Sequence, residues 1–87
     1  MRHRMVSVNK EIVIFYAAKY HKSGLTDVTC EITNESAGDE LPATTMTEID
    51  SLGIYKTTHT FTAKGEYIVR CDSASYPKKD EVCYIVV

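Results

Sequence analysis

The residues best equipped for chemistry in this chain are Cys30, Cys71, Cys83 and His59. Each cysteine lies in a run of alternating residues: DVTCEIT, GEYIVRC and DEVCYIVV. Alternation places Val28, Cys30 and Ile32 on one face of a strand, and Tyr67, Val69 and Cys71 on one face of another. A final hairpin that sets Cys83 opposite Cys71 also sets Ile85 opposite Val69. All three thiols then line one inner face, with His59 directed towards them from an opposing strand. Three outcomes can be drawn from that arrangement. A Cys₃His zinc site has suitable ligand types, but structural zinc sites carry local ligand pairs, and no CxxC occurs here. A disulfide between adjacent strands demands unusual geometry. The favoured reading is three buried free thiols that pack as small apolar side chains, with no metal and no cofactor.

Other chemistry finds less support. His3, His21 and His59 are scattered, and no serine or cysteine sits in a local nucleophile motif. There is no glycine-rich phosphate loop. Asp27, Glu31, Asp39, Glu40, Glu48 and Asp50 could gather calcium at one end of a domain, but their spacing is not that of a calcium loop, and a solvated surface is the simpler reading. Tyr76, beside Pro77, is the best-placed exposed ring for stacking on a carbohydrate. A formal charge of −2, with lysines and acids interspersed, argues against nucleic acid as a partner. These features lead to the expectation that the chain is not an enzyme.

The elements that position these residues read as strands. The 87 residues suffice for one domain, 1–87, and a composition of 44% hydrophobic and 25% charged residues is that of a globular protein. No sustained helical stripe with caps appears. RMVSVN reads as a short first strand. EIVIFYAAKY is continuously apolar and predicts a strand with both faces covered, or one at the centre of a sheet. HKSGLT is a turn around Gly24. NESAGDELPA, with Gly38 and Pro42, is the longest loop signal, spanning 34–42. TTMTEI is a fourth or edge strand, IDSLG turns the chain, and SASYPKK separates the last two strands. Seven short strands with turn signals about every eight to twelve residues predict an all-β sandwich.

Two glycine-x-tyrosine starts, Gly53-Ile54-Tyr55 and Gly65-Glu66-Tyr67, add detail. After the first, Tyr55, Thr57, His59 and Phe61 share a face. Each glycine permits a turn at a strand entrance. Each tyrosine can close the end of a core while its hydroxyl finds a backbone partner. A tyrosine near the start of the penultimate strand does this in immunoglobulin-like domains.

Gly53-x-Tyr55, Gly65-x-Tyr67-x-Val69, a proline-containing turn and a final apolar strand resemble the last three strands of filamin-type immunoglobulin-like domains. They also resemble related modules of bacterial and bacteriophage proteins. AAKYHKSGLTDVTCEIT is similar to the region between the second and third strands of such modules. The pattern departs at Phe61, Thr57 and Val69, and the chain has no tryptophan. The resemblance implies an all-β, seven-strand immunoglobulin-like sandwich. It also implies a non-enzymatic structural or protein-interaction module, of a bacteriophage particle or a bacterial surface. A carbohydrate- or surface-binding module is the alternative.

Recognition by such a module would use loops or a sheet edge, where unpaired backbone groups accept a partner strand. The expected edge is ATTMTEI. Thr45 and Thr47 share one face and Met46 and Glu48 the other, so neither face is firmly apolar. Glu48 would discourage indiscriminate pairing. The loop 34–42 is the second candidate surface. The partner is expected to be a protein, either a second copy or another chain. The apolar run after Arg2 and Arg4 is interrupted at Asn9, Lys10 and Glu11, so no signal peptide is expected, and no segment is long enough to insert in a membrane. Synthesis in the cytoplasm and association with a virion complete the expectations.

Overall fold

The computed structural model describes residues 2–87. Among these residues the chain forms eight strands: β1 (Arg2–Val6), β2 (Glu11–Ala17), β3 (Val28–Asn34), β4 (Gly38–Thr45), β5 (Thr47–Glu48), β6 (Ile54–Thr60), β7 (Gly65–Ser73) and β8 (Asp80–Val86). They build two sheets, a five-stranded one in the order β1-β8-β7-β3-β4 and a three-stranded one in the order β2-β6-β5. β1 runs parallel to β8, and the other pairings are antiparallel. The sheets face each other as an immunoglobulin-like sandwich.

The inner faces follow the parity of the sequence. Val28, Cys30 and Ile32 of β3 and Tyr67, Val69 and Cys71 of β7 are buried, as are Ile14 and Tyr16 of β2 and Tyr55 of β6. Phe61 lies just beyond β6 at the centre of an aromatic cluster. Its ring centroid is 4.4 Å from that of Tyr67 and 4.8 Å from that of His59, the latter edge-on. Buried tyrosines need partners for their hydroxyls. Tyr67 donates to the Ala63 carbonyl. Tyr55 donates to the Lys22 carbonyl and accepts from the Leu25 N–H, which pins the loop between β2 and β3. Gly53 is fixed by space as well as conformation. Its φ is +72°, and a Cβ there would fall 2.1 Å from the His21 carbonyl oxygen. The second glycine-x-tyrosine start is looser, since a Cβ at Gly65 would meet nothing closer than 3.8 Å.

Four expectations change. There are eight strands rather than seven, because TTMTEI is divided. The chain crosses between sheets at Met46, which is buried in the core and donates its N–H to Val28. Residues 43–45 therefore belong to β4 and 47–48 to β5. Secondly, 34–42 is mostly strand. Asn34 closes a tight turn by accepting from the N–H groups of Ser36 and Ala37, and β4 begins at Gly38. Pro42 is tolerated because β4 is an edge strand with irregular pairing to β3. Thirdly, β2 has neither two covered faces nor a central place; it is an edge strand with an exposed outer face. Lastly, β8 pairs with β7 in a different register. Tyr84 faces Tyr67, Val82 faces Val69, and Cys83 faces Ile68. The offset is odd, so it turns Cys83 to the outer face of the sheet.

Candidate protein-binding surface

The thiols do not form one constellation. Cys30 and Cys71 are directly paired across β3 and β7 on the inner face. Cys83 is on the outer face, covered between the strands that carry His3 and Ile68. All three are buried and free. The neighbouring Cys30 sulfur, and then burial, push the Cys71 thiol well above its ordinary range. His59 is drawn away from the cysteines. Its Nε2 lies 2.9 Å from Glu40 Oε2, joining β6 to β4 between the two sheets. Among the described residues no cluster of three histidines, cysteines or carboxylates is arranged to hold a metal ion.

Of the carboxylates considered for calcium, Asp27, Glu40 and Glu48 are taken up by hydrogen bonds, and Glu31 lies 3.8 Å from Arg70. Asp27 accepts from the Ser73 and Ser75 hydroxyls and the Ser75 N–H, linking the loop before β3 to the turn after β7. Those bonds, Ser75 first, hold its carboxyl below the ordinary aspartate value. Among the described residues no histidine hydrogen-bonds to Asp27, so this serine–carboxylate group lacks the base of a hydrolase triad. Tyr76 is half-buried, with Lys22 Nζ 5.3 Å above its ring centroid.

Thr45, Thr47 and Glu48 lie at sheet edges, but not on one continuous edge. Thr45 ends β4 in the five-stranded sheet, while Thr47 and Glu48 belong to β5 in the other. Glu48 is turned to local use. Its carboxylate accepts from the Gly24 N–H at 3.0 Å and the Gly53 N–H at 2.9 Å, clamping two loops together. The Gly24 contact, then the Gly53 contact, hold its carboxyl below 4.5.

The outer face of the three-stranded sheet is the surface that the sequence reading missed. Val13 is 39% exposed and Phe15 is 55% exposed, both on β2. Phe15, Ala17, Ile49 and Ile54 line a shallow cavity of about 630 Å³ together with Arg2, Lys78 and Asp80. The available signal was parity. Once Tyr16 is inward opposite Tyr55, Val13 and Phe15 must point outward. The centre of the other outer face differs, since it carries Arg70 between Glu81 and Glu31, at 2.6 and 3.8 Å. Beside the cavity, Lys78 Nζ donates to the Ala17 carbonyl at 2.7 Å and lies over the Tyr16 ring. Tyr16 donates to the Lys78 carbonyl, and burial, then the charges of nearby groups led by Asp72, raise its hydroxyl to about 12. Arg2 is paired with both oxygens of Asp80.

Comparison with known proteins supports the fold. No family model matches the sequence, and no curated protein matches it. Among solved structures, the chain is similar to the NK cell receptor Nkp44, a triggering partner in natural cytotoxicity. The identity is 12%, the TM-score is 0.57, and the match covers 99% of this chain and 97% of that one. It is also similar to a candidate glycoside hydrolase from Bacteroides vulgatus, with 11% identity and a TM-score of 0.58 over 95% of this chain. In that case the chain spans 16% of the length of the protein it matches. At these identities the likeness concerns the immunoglobulin-like fold alone.

Proposed function

We propose that this chain is a non-enzymatic protein-interaction module that recognises its partner through the outer face of the three-stranded sheet. The observation that carries the reading is the exposed apolar strip of Val13 and Phe15, continued by Ala17, Ile54 and Ile49. Contiguous apolar surface on a small domain marks an interaction site, because leaving it in water costs free energy that a partner recovers. The likeness to a receptor over nearly its whole length agrees with recognition. A filamin-type module of a bacteriophage particle or a bacterial surface is the finer form of the same proposal, and it rests on the glycine-x-tyrosine pattern.

A carbohydrate-binding module is the second reading. It draws on the exposed Phe15 ring at the cavity and on a neighbour named as a candidate glycoside hydrolase. One pair of measurements separates the two. Phe15→Ser is expected to abolish retention of a protein partner by the immobilised domain while circular dichroism remains β-rich, and a glycan array is expected to be blank. Array binding lost in Phe15→Ser would establish the carbohydrate reading instead. Retention of the protein partner unchanged by Phe15→Ser would move the site off this face.

A further inference from the structure

We propose that β2 pairs antiparallel with β2 of a second copy of this chain, about a two-fold axis at Ile14. The proposal rests on the reading of Val13 and Phe15 as part of a protein-binding surface and takes the free edge of that sheet, beside them, as the contact.

Four strands lie at sheet edges: β1, β4, β2 and β5. Three of them are guarded in ways that discourage pairing. β1 carries Arg2, His3 and Arg4. β4 carries Pro42 and two irregularities in its pairing. β5 has only two residues. β2 is seven residues long, has no proline or internal charge, and pairs with β6 without a bulge.

The backbone of β2 is turned correctly for a new partner. The Ala18 N–H donates to the Gly53 carbonyl, so the even-numbered residues make the hydrogen bonds to β6. The N–H and C=O groups of Val13 and Phe15 therefore point to the free edge. The Ala17 carbonyl points the same way, which is why Lys78 can reach it. Antiparallel pairing centred on Ile14 sets Val13 opposite Phe15 of the second copy, and Phe15 opposite its Val13, as hydrogen-bonded pairs. Both exposed side chains then meet on the same outer face.

This register also matches all seven residues of β2, Glu11 through Ala17, once Lys78 leaves the Ala17 carbonyl and turns to the facing Glu11. Shifting the axis to Val13 or Phe15 leaves an end unpaired. At each end Glu11 falls opposite Ala17 of the other copy, beside its Lys78. The two contacts are equivalent by symmetry and opposite in charge, so the surface is complementary to itself, as a two-fold interface must be. The result is one six-stranded sheet running through both copies. Few residues are buried, so the dimer belongs to the weak class of association.

Sedimentation from about 10 µM to about 1 mM should show reversible dimerisation. Phe15→Lys, at an exposed position, should weaken it at least roughly tenfold with circular dichroism unchanged. Glu11→Lys and Lys78→Glu should each weaken it, by roughly tenfold over two contacts. An equimolar mixture of those two variants should associate again, because both contacts then join opposite charges. Hydrogen exchange should show the Val13 and Phe15 amides gaining protection with concentration, against constant protection at Ile14 and Tyr16. A monomer throughout the range would overturn the proposal, as would a dimer indifferent to Phe15→Lys or a mixture that fails to recover. A monomer that still binds another protein through Phe15 would leave the interaction reading standing and remove only the self-pairing.

Discussion

The Tyr67 hydroxyl donates to the carbonyl of Ala63, four residues earlier, across 2.8 Å. The ring is buried against Phe61, while the hydroxyl holds the bend that leads into β7. The two contributions can be separated. Tyr67→Phe keeps the ring and should cost about 1 kcal/mol, the worth of one hydrogen bond. Tyr67→Ala should cost about 3–5 kcal/mol, as for a buried aromatic. Ile68→Ala, on the outer face, should cost clearly less than Tyr67→Ala. Urea unfolding measures all three, and equal losses for Tyr67→Ala and Ile68→Ala would contradict the inward placement of Tyr67.

Glu48 gives the fold a defined acid sensitivity. Its carboxylate is held by the N–H groups of Gly24 and Gly53, and its folded pKa lies below the ordinary 4.5. The unfolded chain therefore takes up the proton first as pH falls. The stabilisation is complete above 4.5 and is lost as pH drops through the folded value. Asp27, also lowered, adds a loss of the same sign below its ordinary 3.8. Glu48→Gln should reduce stability at neutral pH and flatten the decline below 4.5, leaving the part due to Asp27. An unchanged acid profile in the urea midpoint would show that the clamp contributes nothing.

The thiols should be slow to react in the native protein. The thiolate is the reactive form, and all three side chains are buried, with Cys71 pushed further towards its neutral state. Cys30 and Cys71 are directly opposed across two antiparallel strands. Such Cβ atoms lie about 4.5–5.5 Å apart, against about 3.8 Å in a disulfide, so bridging them would distort the sheet. A thiol reagent should find three equivalents after denaturation and far fewer at early times before it. Recovery of one equivalent would demonstrate a disulfide between two of them.

How much of this was legible depended on the range of the interaction that fixes each residue. Parity is local, and it correctly placed Val28, Cys30 and Ile32, Tyr67, Val69 and Cys71, and Tyr55 with Phe61. The register of the last hairpin is set by the turn between β7 and β8. There Asp72 accepts from the N–H groups of Ser73 and Lys78, and Asp27 accepts from Ser75. Those contacts tie together residues up to 48 apart in sequence. An odd error in that register was enough to move Cys83 to the opposite face. The candidate surface was hidden for a similar reason. A continuous apolar run suits a covered strand, and only its neighbours in space reveal that β2 has one partner strand. Pro42 and Gly38 misdirected the reading of 34–42 because edge strands accept residues that central strands reject.

Thr45 and Thr47 offer a test of the sheet crossing at Met46. The Met46 N–H donates to Val28, so the even-numbered residues of β4 near the crossing make the bonds to β3, and the Thr45 N–H faces the free edge. The Ile49 N–H donates to Ile54, so in β5 the odd-numbered residues make the bonds, and the Thr47 N–H points into the ladder with β6. Proline removes that donor at either position, but only at Thr47 is the donor in use. Thr47→Pro should therefore cost on the order of 2 kcal/mol and loosen β5, with faster hydrogen exchange at Ile49. Thr45→Pro should leave stability within about 1 kcal/mol of the parent and preserve exchange protection at Met46. Thermal or urea unfolding of the pair decides the matter. Equal losses would mean that 43–49 runs as one strand in one sheet, and a greater loss for Thr45→Pro would reverse the direction of the β4 ladder.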